Sequence, residues 1–220
     1  VTSMSVSNAV TARRSVRAFT SDPVPDETLR SLVDKAARAP SGGNVQPWRI
    51  YGITSATMAS LRSHLSESEP VEAPGYEVYP PKLWEPYRTN RFRNGEMLYA
   101  TLGLEREDKA GRLEQFARNG DFFGAQAAIF CYVDKRMGPP QWSDLGMYLQ
   151  TFMLLAEEAG LNTCPQEYWT VRQNAIGEFV GAPDDVMLFC GVALGHADPN
   201  APVNSLVTER QPLEEFATFL

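Results

Sequence analysis

Apolar positions along this chain change period several times, and each change marks an element. Leu29, Leu32, Val33, Ala36 and Ala37 recur at three- and four-residue spacing, which predicts a helix beginning at Pro25-Asp26-Glu27. Proline suits its first turn, the two acids suit the positive end of its dipole, and Pro40 ends it. A short helix over Ser7–Arg14 precedes it. Arg49-Ile50-Tyr51-Gly52-Ile53 reads as a strand, Thr57–Leu65 as a modest helix and Ala127–Val133 as a buried strand. Leu145, Tyr148, Leu149, Phe152, Leu155, Ala156 and Ala159 form a helical stripe, widened by Met147, Met153 and Leu154. A helix capped by Ser143, with Asp144 in its first turn and Gly160 as its stop, is therefore apolar on most sides. Such a helix is buried, in a core or against a second copy. Thr170–Val180 reads as a helix and Val186–Leu194 as a strongly apolar strand.

The pattern lapses between Glu67 and Asn94. Pro70, Pro74, Pro80, Pro81 and Pro86 alternate there with Tyr76, Tyr79, Trp84 and Tyr87. Its length and weak periodicity mark a functional segment, and its aromatics favour an ordered cover over a linker. Helical spacing resumes at Asn94–Gly103 and Glu107–Arg118. From Asp198 the tail is punctuated by Pro199, Pro202 and Pro212 and ends in a short apolar helix, Leu213–Leu220. That tail needs a surface to pack on, which a partner subunit supplies. The expectation is a single α+β domain over residues 1–220: a mixed central sheet flanked by helices on both faces. Residues 67–94 form its lid and residues 198–220 its tail.

Composition narrows the class. A hydrophobic content of 43% is enough for a sizeable core, and the net charge of −7 argues against nucleic acid and anionic membranes as partners. No apolar run is long enough to span a membrane, and Val1–Ser7 lacks the pattern of a signal peptide. Three cysteines, Cys131, Cys164 and Cys190, lie in or beside apolar runs, which fits a reducing cytoplasm. There is no Cys-x-x-Cys spacing, and His64 and His196 are the only histidines, so no metal site is expected. The fingerprint Gly-x-Gly-x-x-Gly is missing, which excludes an ordinary Rossmann nicotinamide site.

Three segments carry candidate chemistry. Arg13, Arg14, Ser15 and Arg17 place three guanidinium forks and a hydroxyl within five residues, a set suited to phosphate oxygens. A solvated basic helix end is the plainer account of the same residues. Pro40-Ser41-Gly42-Gly43-Asn44-Val45-Gln46-Pro47-Trp48 is a loop between helix and strand. A plain loop does not require both Asn44 and Gln46, whose amides suit the donors and acceptors of a flat heterocycle. Asn162-Thr163-Cys164-Pro165-Gln166-Glu167-Tyr168 follows the apolar helix, either as a strand end or as a run of backbone N–H groups beside a ring. Cys164 has no basic neighbour in sequence and reads as a structural thiol. Arg210 adds a late cation.

Taken together, these motifs resemble the FMN-dependent nitroreductase family, the oxygen-insensitive NAD(P)H nitroreductases, from about Ala12 to Phe216. The resemblance implies an α+β homodimer, intertwined, with the C-terminal tail embracing the partner and FMN bound at the interface. It implies that Arg13, Arg14, Ser15, Arg17 and Arg210 hold the FMN phosphate and ribityl chain, with the flavin's pyrimidine edge as the alternative position for Arg17. Pro40, Ser41, Gly42 and Asn44 then come from the other subunit, with Gln46 supporting that loop. Pro165, Gln166 and Glu167 line the ring, with the Glu167 backbone N–H near flavin N5. The implied activity is ping-pong hydride transfer from NADPH or NADH through N5 to a nitroaromatic, giving nitroso and hydroxylamine products, or to a quinone. Reductive dehalogenases, flavin-fragmenting enzymes and non-enzymatic flavin-binding proteins share these signals. The chain departs from the family pattern at Thr208, where many members carry lysine. It also lacks the usual asparagine and lysine pair ahead of the middle strand, where Arg118 is the candidate cation for flavin N1 and O2.

Overall fold

In the computed structural model the described residues are 4–220; residues 1–3, part of the N-terminal segment considered above, lie outside them. Four strands form one sheet in the order β1-β2-β4-β3, with β1 Arg49–Ile53, β2 Ala127–Asp134, β3 Asn162–Gln166 and β4 Val186–Gly195. Every strand pair is antiparallel, where a mixed sheet was expected. The parallel contribution is a single bridge, Ser15 to Thr163, from a segment too short to count as a strand.

β2 explains the layering. Ala127 to Val133 are all buried, and successive side chains point to opposite faces. Ala127, Ile129, Cys131 and Val133 pack against α2 (Asp26–Ala36) and α6 (Pro139–Glu158), on Leu29, Leu32, Leu145, Tyr148 and Phe152. Ala128, Phe130 and Tyr132 face α3 (Ser55–Glu67) and α7 (Gln173–Val180), on Met58, Leu61, Leu65 and Ile176. Helices on both faces are thus as the sequence predicts.

α1 (Val6–Ala12), α4 (Tyr87–Thr101), α5 (Lys109–Ala117) and the short α8 (Leu213–Phe216) complete the helices. Three boundaries shift for physical reasons. α6 starts at Pro139, not after a Ser143 cap: Pro139 and Pro140 occupy its first turn, where a missing N–H costs nothing. The Gln141 side chain accepts from the Gly138 N–H at 3.3 Å and closes that end. α4 begins at Tyr87, inside the stretch read as irregular, because it buries no residue and so carries no apolar stripe. α7 starts at Gln173, since residues Glu167–Arg172 form a 3-10 turn first.

Candidate active site

The segment after α1 alternates. Val16 and Ala18 are buried, so Ser15 and Arg17 point the other way. The Val16 N–H donates to the Thr163 carbonyl at 2.9 Å, fastening this segment to the edge strand β3. Asn204, in the tail, fixes its far end. It accepts from the Arg17 N–H at 2.9 Å and donates to the carbonyls of Ala18 at 2.8 Å and Asp198 at 2.9 Å. The tail also returns Thr208 and Arg210 to the same place.

The result is an open cleft of about 950 Å³. Arg13, Arg14, Ser15, Arg17 and Arg210 all line it, together with Thr208, Asn94 from α4, Gln150 and Glu157 from α6, and Asn162 from β3. Among the described residues neither the Arg13 nor the Arg14 guanidinium has a hydrogen-bond or ion-pair partner. Arg17 Nη1 donates to the Ser15 carbonyl at 3.3 Å. Arg210 Nη1 folds onto its own turn, on Thr208 Oγ1 at 2.7 Å and the Glu209 carbonyl at 2.8 Å. Glu157 is the one carboxylate on the lining, and it is buried. Burial pushes its carboxyl up, only partly opposed by the charges of Arg13 and Arg14. Four guanidiniums around one cleft make a strong anion site.

The Pro40 loop lies elsewhere. None of its residues lines the arginine cleft. Gly42 N–H donates to both carboxylate oxygens of buried Asp144 at 3.3 Å, near the N-terminal end of α6. The cleft meets α6 at Gln150 and Glu157, about 9 and about 20 Å further along the helix at 1.5 Å per residue. The loop is strained: Gly43, Asn44 and Gln46 have φ of 58°, 57° and 52°. Gln46 is not a residue that favours this left-handed region, at a cost of roughly 1–2 kcal/mol. Ser41 Oγ holds it by accepting its N–H at 2.9 Å, and Gln46 Nε2 donates to the Asn44 carbonyl at 3.2 Å. Strain of this kind gathers at functional sites.

The third segment divides. Pro165 sits on β3 opposite Val192. The Gln166 side chain turns inward, where Nε2 donates to the Asn119 carbonyl at 3.0 Å and Oε1 accepts from Trp169 Nε1 at 3.1 Å. Trp169 is fully buried, and its indole needs that acceptor. Glu167 opens the 3-10 turn, so its N–H has no acceptor within the turn. Arg118 does not reach the cleft. Its Nη2 points at the Phe123 carbonyl at 3.5 Å, the same oxygen that takes the Phe19 N–H. Cys164 is buried and free, with its thiol pushed up to about 11, which removes it as a nucleophile.

Sequence reasoning missed Glu157, Asn204 and Gln150 as site residues and gave Asp144 only a helix-end role. Asn204 and Asp144 take their hydrogen-bond partners, Arg17 and Gly42, from far away in the chain.

A basic cleft opens beside the edge strand of a helix-covered antiparallel sheet, in an α+β protein. The profile of the Nitroreductase family matches residues 10–196, and the chain belongs to that family. It is 35% identical to a 4-nitrobenzoate reductase of Pseudomonas putida over 96% of this chain and 93% of that protein. Among solved structures it resembles the FMN and NADPH-dependent nitroreductase NfnB of Sphigopyxis sp. strain HMH, with TM-score 0.93, 43% identity and 99% of each chain covered. It also resembles the FMN-dependent NfnB of Mycobacterium smegmatis, solved in complex with NADPH, with TM-score 0.90, 27% identity and 97% of each chain covered.

Proposed function

We propose that this chain is an FMN-dependent nitroreductase, oxidising NADPH or NADH and reducing nitroaromatics or quinones. The observation that carries the reading is the cleft of Arg13, Arg14, Ser15, Arg17 and Arg210, in which two guanidiniums have no protein partner. Those forks suit a phosphate monoester, and the cleft volume suits a phosphorylated small molecule. Bound FMN supplies the redox chemistry, taking a hydride from the nicotinamide and handing it to the acceptor.

The protein's own part is binding and placement. Arg13, Arg14, Ser15 and Arg17 hold the phosphate, with Arg210 swinging from its own turn to join them. The Glu167 N–H offers a donor to the ring edge, and Pro165 a flat wall. Gln166 acts from behind, bracing Asn119 and Trp169 so that Glu167 stays in place. No histidine lines the cleft, so water delivers the protons.

The Pro40 loop completes the site from a second copy. Pro40, Ser41, Gly42 and Asn44 sit beside the N-terminal end of α6, short of their own chain's cleft, which meets that helix at Gln150 and Glu157. The exposed apolar side chains of Val6 and Val10 on α1, and of Leu213, Phe216 and Phe219 in the tail, favour a homodimer in which the tail embraces its partner. Residues 67–94 act as the lid over the ring. Among the described residues no helix is long and apolar enough to cross a membrane, and the three free cysteines fit a reducing cytoplasm.

The test is spectroscopic. Protein incubated with FMN and freed of excess should keep the yellow flavin absorption, and NADPH added without oxygen should bleach it; nitrobenzoate should restore the colour. Retained colour that NADPH leaves unchanged means a flavin-binding protein and not a reductase. A colourless protein removes the phosphate assignment of the arginines. Arg14→Ala with Arg17→Ala should raise the FMN dissociation constant at least about a hundredfold, on the scale of two charge-assisted contacts, with the fold intact by circular dichroism.

A further inference from the structure

α4 buries no residue, yet one of its faces looks into a cavity. Asn90, Arg93, Asn94 and Met97 recur at three- and four-residue spacing and so share that face. The opposite wall is the tail from Thr208 to Pro212. The cavity holds about 530 Å³ and adjoins the arginine cleft, since Asn94, Thr208 and Arg210 line both. Its lining is nonetheless of another kind. Charges balance, with Arg93 and Arg210 against Glu209 and Glu215, so it suits a mostly neutral polar body and is no general anion trap. Among the described residues the side-chain amides of Asn90 and Asn94 have no hydrogen-bond partner, and each offers both donors and an acceptor to a ligand. Met97 and Pro212 add apolar surface for a flat ring. Arg93 Nη2 donates to Glu209 Oε2 at 2.6 Å, and both side chains are more than half exposed. That bond engages one nitrogen of the fork; among the described residues Nε and Nη1 have no protein partner.

A flat ring with donors and acceptors on its edge, joined to a sugar that carries one anionic group, matches this lining. That is the chemistry of an adenosine phosphorylated on its ribose, the far half of NADPH. We infer that the cavity between α4 and the tail seats the adenosine half of the nicotinamide nucleotide, and that the Arg93–Glu209 pair sets the choice between NADPH and NADH. The inference rests on the reductase reading above. Arg93 offers its open fork to a 2′-phosphate. Glu209 opposes that phosphate by charge and accepts from the free 2′-hydroxyl of NADH, the contrast by which an acid and an arginine separate the two nucleotides in other folds. Asn90 and Asn94 take the edge of the adenine.

The experiment titrates FMN-loaded protein, whose arginine cleft is already filled, with adenosine 2′,5′-bisphosphate and with adenosine 5′-monophosphate in a calorimeter. Arg93→Ala should weaken the bisphosphate about tenfold, the scale of one charge-assisted contact, and leave the monophosphate as it was. Glu209→Gln should do the reverse, tightening the bisphosphate about threefold, the scale of an exposed charge pair. The ratio of kcat/KM for NADPH to kcat/KM for NADH should fall in Arg93→Ala and rise in Glu209→Gln. Both side chains are exposed, so neither change should disturb the fold; Glu209→Gln decides alone should Arg93→Ala fail to fold. Variants that keep the wild-type preference between the two nucleotides overturn the inference, as does an FMN-loaded wild type that binds neither of them. A protein that retains no FMN overturns the proposed function, and this inference with it.

Discussion

The Arg17 N–H donates to the side-chain oxygen of Asn204 at 2.9 Å across 187 positions of sequence. Asn204 spends both amide hydrogens as well, on Ala18 and Asp198, so one buried side chain joins the arginine segment to the tail that carries Arg210. Asn204→Ala leaves the Arg17 N–H without its acceptor and removes one of the two donors to each of the Ala18 and Asp198 carbonyls. The expected loss of stability is about 2–3 kcal/mol, read as a lower urea midpoint. The FMN dissociation constant should rise as well, although Asn204 does not line the cleft. A variant that unfolds earlier but binds FMN with wild-type affinity would separate the tail from the clamp and sink the argument.

What the sequence made legible follows from how each feature is encoded. β1 spans Arg49–Ile53 as read, and β2 and β4 end within one residue of their apolar runs, because burial on both faces writes itself as an unbroken hydrophobic stretch. The arginine segment was legible because charge density and spacing are local. α4 was half hidden, since an exposed helix needs no stripe. Asn204 and Glu157 were invisible for another reason. A buried polar residue is defined by partners that the fold brings from afar, and nothing beside it in sequence names them. The direction of the Gln166 side chain was not legible, because a strand's register decides which face each side chain takes.

Gly191 is fixed by its neighbour across the sheet. A Cβ built there lies 2.3 Å from Trp169 Cδ1 and 3.1 Å from Phe130 Cδ1. Trp169 cannot withdraw: it is fully buried, stacked on Phe122 with ring centroids 4.3 Å apart, and tied to Gln166. Gly191→Ala should therefore destabilise by at least about 2 kcal/mol through overpacking. The same shift moves Gln166 and the turn that begins at Glu167, so FMN affinity should fall in parallel. Denaturation that matches wild type within about 0.5 kcal/mol would show that the indole has room.

Asp144 offers a test of the loop that is independent of the arginines. Its carboxylate takes the Gly42 N–H and holds the strained turn through Gly43 and Asn44. Asp144→Ala releases that anchor, at an expected cost of about 1–3 kcal/mol. If a partner's loop covers each flavin, FMN should dissociate faster while the arginines remain as they were. Stopped-flow displacement of FMN reads this directly. An unchanged off-rate in a correctly folded variant would remove the loop from the cofactor site.

The three thiols predict how the fold fails in alkali. Burial pushes Cys164 up to about 11 and Cys190 up to about 12, with Cys131 shifted in the same direction by burial and by Cys190 opposite it in the sheet. The unfolded chain gives up these protons near pH 8.5. The folded pKa values are raised, so the native state holds protons that the unfolded state has lost. Their contribution to stability is complete below about pH 8.5 and is lost progressively as pH climbs toward 11–12. The urea midpoint should be flat from pH 7 to 8 and fall above 8.5, and Cys164→Ala should flatten part of that slope. Native protein at pH 8 should also resist Ellman's reagent until urea opens it. A midpoint that does not move between pH 8 and 10.5, or thiols that react in the folded state, would mean that water reaches this core.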